Sequence, residues 1–425
     1  MTGSSRTAGV GSAIVVAWLM TAVFYFHQYV MRSAPAVMMP ELQAAFGLSA
    51  VGVSSMVGLF YYGYAPFSLV AGVAMDQLGA RRAVPLGAAV MAVGAGLFAT
   101  GDPALGGVGR FLQGAGGVFA LIGAVYLATR YFPASRAATL IGATQMFGMA
   151  GGSAGQFLAG PAIAAGLGWS QFWIIAAALG GIVAVLLALL IPSARSESSS
   201  LGAGLSSAGR ALVAVGRNPQ SLLCGLISGL LFIPTTIFDM VWGVRFLQEA
   251  HGLPYAEAVL RSASVPFGWI IGCPLLGALS DHLGRRKPVI IGGSLALGAC
   301  LALILYGPHD ILPPFALGLL AGIASGAAML PYTVIKEANR PEHSGTATGV
   351  INFINFSFSA LLGPVFSGWL VQASGGGERQ LEHYQAAFSP LLAGVAVAVA
   401  LSLALKETGA AARAAPQPHP QARHA

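Results

Sequence analysis

Charge is what this chain has least of. Asp, Glu, Lys and Arg make up 8% of its 425 residues, against roughly a quarter of an ordinary soluble domain, and a water-soluble surface cannot be built from so few. Cysteine is scarce as well. Cys224, Cys273 and Cys300 each lie in an apolar stretch with no pairing logic or metal-ligand spacing, which excludes a disulfide scaffold and a zinc site and leaves three small buried hydrophobes. Catalytic constellations are missing: there is no carboxylate pair, no nucleophile beside a base and no metal-spaced cluster, so neither an enzyme nor a cofactor is expected. What fills the chain instead is 56% hydrophobic residues, with 58 glycines and a mean hydropathy of +0.75. The glycines sit inside apolar segments, where small residues let helices approach closely. This is the composition of a protein that lives in a lipid bilayer.

The net charge of +7 would suit a nucleic-acid binder if the basic residues formed one face. They do not. With the N-terminus placed in the cytoplasm, 16 of the 21 Lys and Arg residues, from Arg6 through Arg81, Arg82, Arg136 and Arg217 to Lys406, fall on cytoplasmic ends and loops. That is the positive-inside pattern. Both termini are therefore expected in the cytoplasm, and no basic face remains for a polyanion.

Apolar runs of about 20 residues suffice to cross roughly 30 Å of hydrocarbon. Six lie near 12–38, 50–75, 83–101, 105–130, 138–165 and 170–192, and six more near 219–247, 255–280, 288–307, 312–336, 345–373 and 384–405. The expected architecture is all-α, with an N-terminal six-helix bundle over 10–192, a cytoplasmic linker over 193–218, a C-terminal bundle over 219–406 and a disordered tail over 407–425. The first run is too long and too polar for a cleaved signal peptide. The Ser/Gly/Ala-rich linker has room for one amphipathic surface helix near 207–216.

One phrase occurs twice, as Gly72-Val-Ala-Met-Asp76-Gln-Leu-Gly79-Ala-Arg81-Arg82 and as Gly277-Ala-Leu-Ser-Asp281-His-Leu-Gly284-Arg285-Arg286-Lys287. The differences 277 − 72, 281 − 76 and 284 − 79 all equal 205, and Phe46-Gly47-Leu48-Ser49 is answered at the same offset by His251-Gly252-Leu253-Pro254. Two copies of one membrane unit make up the protein, the plan of a carrier whose halves rock about a central site. Physically, Asp76 at a helix end can accept from the backbone N–H groups of a neighbouring helix N-terminus and pair with a cation. Gly72 permits close helix approach, and Arg81 and Arg82 pin the loop to the membrane surface.

The doubled phrase resembles the loop signature of the major facilitator superfamily, between the second and third and again between the eighth and ninth helices. Arg110-Phe-Leu-Gln113-Gly114-Ala-Gly116-Gly117 in the fourth span resembles the superfamily's second motif, and Gly148-Met-Ala-Gly151-Gly152-Ser-Ala-Gly155, running on to Gly160-Pro161, resembles its third, associated with exporters. The resemblance implies twelve helices in two pseudo-symmetric bundles, and a gate formed by Gly72, Asp76, Gly79, Arg81, Arg82, Asp281, Arg285 and Arg286. An unpaired Arg110 inside lipid costs at least roughly 2.5–3.5 kcal/mol, so it faces a partner or a watery cavity.

In the first span Tyr25, Gln28, Tyr29 and Arg32 stand at i, i+3, i+4 and i+7 and share one polar stripe, which on a membrane helix lines a cavity. The setting of Arg32 is similar to the first helix of the organic-anion and sugar-phosphate carriers in the superfamily, where such an Arg grips phosphate or carboxylate, a task that suits its planar fork. The likeness is partial: Thr235 and Thr236 stand where phosphate antiporters carry a second Arg, and Met31 and Gly117 where carboxylate symporters carry acids. Asp239 is the one acid deep within an apolar span. The 205 offset sets it opposite position 34, two residues or about 3 Å of rise from Arg32, so it reads either as a proton-coupling acid across the cavity or as a salt-bridge partner of Arg245 or Arg261. Gln113, Tyr61, Tyr62, Gln145, Asn352, Asn355 and Ser359 complete the cavity candidates. His27 falls off the stripe and reads as a packed residue.

The expectation is a monomeric carrier of the bacterial inner membrane, whose partners are the bilayer, a small organic anion, a carboxylate first of all, and protons. A proton-driven exporter of drugs or metabolites is the alternative, and a transporter-like sensor a third reading.

Overall fold

The computed structural model describes residues 11–192, 201–308, 312–313 and 315–411. All regular structure among them is helical. The membrane helices are α1 (Ser12–Ser33), α2 (Ala50–Leu78), α3 (Ala80–Phe98), α4 (Pro103–Tyr131), α5 (Ala137–Phe157), α6 (Trp169–Leu190), α7 (Pro219–His251), α8 (Tyr255–Leu283), α9 (Lys287–Tyr306), α10 (Ala316–Glu337), α11 (Ser344–Ala373) and α12 (Leu381–Ala404). Eleven are long and apolar enough to cross a bilayer by composition alone. The one that falls short is α5, diluted by Thr139, Thr144, Gln145 and five glycines between Gly142 and Gly155.

Local chemistry sets the helix ends. Asp102 caps α4 by accepting from the Leu105 N–H, with Pro103 at the first helical position, and Asn218 with Pro219 does the same for α7, satisfying donors that have no partner within the helix. The two halves repeat in detail: Met39–Phe46 ends on left-handed Gly47 at φ 62°, and Val244–His251, offset by 205, ends on left-handed Gly252 at φ 65°. Only glycine adopts that conformation without cost.

Burial sorts the helices. Within the most apolar window, 89% of α4, 78% of α10 and 72% of α7 is buried, against 33% of each of α6, α9 and α12. The first three form the interior with α1, and the last three face lipid. The bundles meet where α2 packs on α11 and α5 on α8. A Cβ on Gly72 would stand 2.6 Å from the Gly345 carbonyl, so only glycine allows α2 and α11 to touch. Two central helices are not regular: α7 widens into a π-helix over Pro234–Gly243, and α10 tightens to a 3-10 turn over Gly326–Met329.

Between the bundles a helix spans Leu201–Arg217, longer than the surface helix expected near 207–216; residues 193–200 lie outside the described ones. One expectation for the tail fails. Residues 407–411 are held in place, because Glu407 accepts from the backbone N–H groups of Arg286 and Lys287 and the Ala411 N–H donates to the Gly284 carbonyl. The rest of the tail lies outside the described residues.

Candidate functional site

The doubled phrase forms two related clasps at the basic end of the molecule. Asp76 at the end of α2 accepts from the backbone N–H groups of Gly345 (2.8 Å) and Thr346 (2.7 Å) and from the Thr346 hydroxyl (2.6 Å), at the first turn of α11. Asp281 at the end of α8 accepts from the N–H (2.9 Å) and hydroxyl (2.8 Å) of Thr139 in the first turn of α5. Each carboxylate meets the positive end of a helix in the other bundle. Asp281 also pairs with Arg286 (2.6 Å), which in turn pairs with Glu337 (2.9 Å); Asp76 has no ion pair within 4.0 Å among the described residues. Burial pulls the Arg286 guanidinium down, but the hydrogen bonds and charges of Glu337 and Asp281 outweigh it and hold it above its ordinary range. Gly79 and Gly284 take left-sided φ values of 76° and 61° at the turns. Arg81 donates to the Ile191 carbonyl at the end of α6, while Arg82 and Arg285 are exposed. Lys336 adds a third tie between bundles, donating to the Val125 carbonyl and the Thr129 hydroxyl of α4. The basic end is thus shut.

Arg32 lies where the bundles face each other. Its guanidinium carbon is within 6.0 Å of the centroids of five rings: Tyr29, Phe60, Tyr61 and Tyr64 of the first bundle and Phe356 of the second. Nε and Nη2 donate to the Tyr61 hydroxyl (3.2 and 3.1 Å). Nη1 is buried with no hydrogen-bond partner, and no acid of the described residues comes within 4.0 Å of the group. Ring faces stabilise a cation without neutralising it, so the cage holds one uncompensated positive charge and an open donor. Beside it Tyr25 donates to Gln145 (3.0 Å) and stands 3.4 Å from the Tyr29 hydroxyl, to which Gln145 Nε2 donates.

A polar chain runs on into the second bundle. Asn352 donates to Ser68 across the interface (2.8 Å), Tyr332 donates to Asn352 (3.0 Å), and Asn355 donates to Tyr332 (3.2 Å) while its own Oδ1 is buried without a partner. Gln28 is fully buried with both amide atoms unpartnered, in space that Gly117 leaves free.

Several expected site residues are used otherwise. Arg110, 1% exposed, donates to the carbonyls of Met31 and Val57 and to Gln113, which donates to the Gly94 carbonyl. These bonds brace α1 and α2 against α4 within one bundle. Asp239 does not approach Arg32, nor does it form an ion pair with Arg245 or Arg261; its one partner among the described residues is the Ser262 hydroxyl (3.1 Å), within the second bundle. The reason is the π-helix, whose i→i+5 ladder turns residue 239 away from the face an α-helical offset gives it. Tyr62 is 65% exposed on the outer surface, Ser359 bonds Thr236, and His27 is packed against the Ala176 carbonyl.

The residues sequence reasoning missed are Phe60, Tyr64, Phe356 and Tyr332. The spacing of Phe60, Tyr61 and Tyr64 on α2 was the available signal for the cage; nothing local marks Phe356.

Two related six-helix bundles that shut at one end by helix-end clasps, and hold between them the Arg32 guanidinium with an open donor, define a secondary transporter rather than an enzyme. The sequence pattern of the Major Facilitator Superfamily matches residues 17–361, and the chain belongs to that family. It is 25% identical over 371 residues to the hexuronate transporter of Bacillus subtilis (strain 168), covering 82% of this chain and 85% of that one. It is 22% identical over 378 residues to the "Probable sulfoacetate transporter SauU" of Cupriavidus necator, covering 83% and 86%. The solved proton:xylose symporter XylE superposes with a TM-score of 0.72 at 14% identity, over 94% of this chain and 98% of that one; at that identity the likeness concerns the fold.

Proposed function

We propose that this multi-pass membrane protein is a monomeric secondary transporter that carries a small organic anion, a carboxylate, across the bacterial inner membrane by alternating access, coupled to protons, with both termini in the cytoplasm. The observation that carries the reading is the open Nη1 of Arg32: a buried guanidinium with a vacant donor and no counter-anion is complementary to a carboxylate, which its fork holds by charge-assisted bonds. Tyr25, Tyr29, Tyr61 and Gln145 orient that fork, and Asn352 and Asn355 meet the far end of the substrate. The named cargoes of two relatives, hexuronate and sulfoacetate, are organic anions, and the fold neighbour is a proton symporter; both lend support. Asp76 and Asp281 act as the cytoplasmic gate. Asp239 remains the proton-carrying group in this reading and acts through the shape of α7, since it does not touch Arg32.

Uptake into proteoliposomes with an inward proton gradient tests it, using a hexuronate and sulfoacetate against neutral xylose. Uptake of an anion but not of xylose is expected, with Arg32→Ala reducing it at least about a hundredfold, since two charge-assisted bonds are worth roughly 3 kcal/mol or more. Anion uptake unchanged by Arg32→Ala sinks the assignment.

A further inference from the structure

The second bundle contains a cavity of its own. It is lined by residues of α7, α8, α9 and α10 and of the turn between the last two; among the described residues every one of them falls between Pro234 and Ser325, and none belongs to the first bundle. Its free volume, about 90 Å³, exceeds several-fold the roughly 10–15 Å³ that one water needs on that measure. The walls are largely apolar, formed by such residues as Phe238, Phe246, Val265 and Leu301.

One charged group faces this space with acceptor capacity to spare. Asp239 Oδ1 accepts from Ser262, and no described residue makes a hydrogen bond to Oδ2. Arg261, also on the wall, is engaged by Glu257 through both Nε (3.1 Å) and Nη2 (2.6 Å). A carboxylate with one hydroxyl partner within a membrane span is costly unless it takes up a proton or something cationic meets it. Two features keep it accessible. The π-helix over Pro234–Gly243 turns it toward the cavity, and such wide turns recur at functional sites. Gly243 leaves the approach open: a Cβ there would stand 2.8 Å from Ser262 Oγ and 3.0 Å from Asp239 Oδ1.

We propose that this cavity is a second ligand site, separate from the Arg32 cage, and that it takes a compact apolar molecule bearing one protonated amine, its ammonium on Asp239 and Ser262 and its hydrocarbon body among the rings and leucines. Occupancy fills the space beside the widened segment of α7 and so holds that helix in the shape seen here.

The full-length protein in lipid nanodiscs is titrated with 1-aminoadamantane, and with 1-adamantanol as its neutral counterpart, reading tryptophan-detected melting temperature; Trp269 donates to Thr235 on the cavity wall. Saturable stabilisation by the amine and not by the alcohol is expected, weakened at least tenfold by Asp239→Asn and retained in Arg32→Ala. Gly243→Val, which fills the approach and keeps the carboxylate, is expected to lose it as well and serves if Asp239→Asn does not fold. Equal stabilisation by amine and alcohol, no saturable stabilisation, or amine binding that survives both cavity variants overturns the proposal. So does binding abolished only by Arg32→Ala, which locates the amine in the central cleft.

Discussion

Asp76→Ala tests the gate directly. In the shut state its carboxylate closes two backbone N–H groups of α11 that have no partner within their own helix, and one hydroxyl. Hydrogen bonds to a charged group contribute about 1.5–3 kcal/mol each, and the helix dipole roughly 0.3–1 kcal/mol more. Because water reaches these groups once the end opens, the lower values apply, and the clasp favours the shut state by about 3 kcal/mol, roughly a hundredfold in population. The second clasp, with Asp281, Arg286 and Glu337, still holds in the single variant. Asp76→Ala is therefore expected to populate an open basic end partly, and Asp76→Ala with Asp281→Ala to make it dominant. Electron-paramagnetic distance measurements between spin labels at Arg82 and Arg340, exposed residues of opposite bundles, read this as a longer component in the distance distribution. A distribution unchanged in the double variant would refute the account of the clasps as what holds this end together.

Arg110→Ala strips donors from the Met31 and Val57 carbonyls and from Gln113 inside one bundle, so a melting temperature several degrees lower is expected, with a cost of about 3 kcal/mol or more; Arg110→Lys does not rescue it, because a point charge cannot serve three acceptors in different directions. Arg32→Lys is expected to leave the melting temperature in place and raise KM, and the reverse pattern would exchange the roles given to the two arginines. Glu407→Gln weakens a carboxylate that accepts from the N–H groups of Arg286 (2.7 Å) and Lys287 (3.1 Å) at the start of α9, a cap supplied from the tail. At about 1–2 kcal/mol for a cap, amide exchange at those two residues should quicken roughly tenfold, and unchanged exchange would mean the tail does not brace the second clasp.

The architecture was legible because a bilayer leaves few ways to satisfy a backbone. Apolar runs of membrane length in a chain this poor in charge have to be helices, and the doubled phrase fixes how they pair into halves. The contact of Asp76 with a helix N-terminus was legible too, since an acid at a helix end beside a glycine that admits a neighbouring helix has few other partners. The sequence held the least information where helices depart from α geometry. Nothing between Pro219 and Ile233 announces that the next ten residues form a π-helix, and arithmetic on a repeat assumes equal winding in both copies. One wide turn sufficed to move Asp239 from the face shared with Arg32 to the interior of its own bundle.

The two arginines of the first bundle show where residue type stops being informative. Arg32 and Arg110 are both guanidinium groups within membrane spans, and each must find partners or a wet cavity. Arg110 projects from a helix so rich in glycine that its neighbours pack backbone against backbone, and this close approach brings the Met31 and Val57 carbonyls within its reach. Arg32 projects among aromatic side chains that offer it ring faces and one hydroxyl. Rings stand near both, since Phe60, Phe98 and Trp173 lie within 5.9 Å of the Arg110 guanidinium; the difference is the reach of backbone carbonyls, which Arg110 has and which Arg32, with Nη1 unpartnered, lacks. It is that deficit, set by which acceptors come within reach more than by the arginine itself, on which the assignment of an anionic cargo stands.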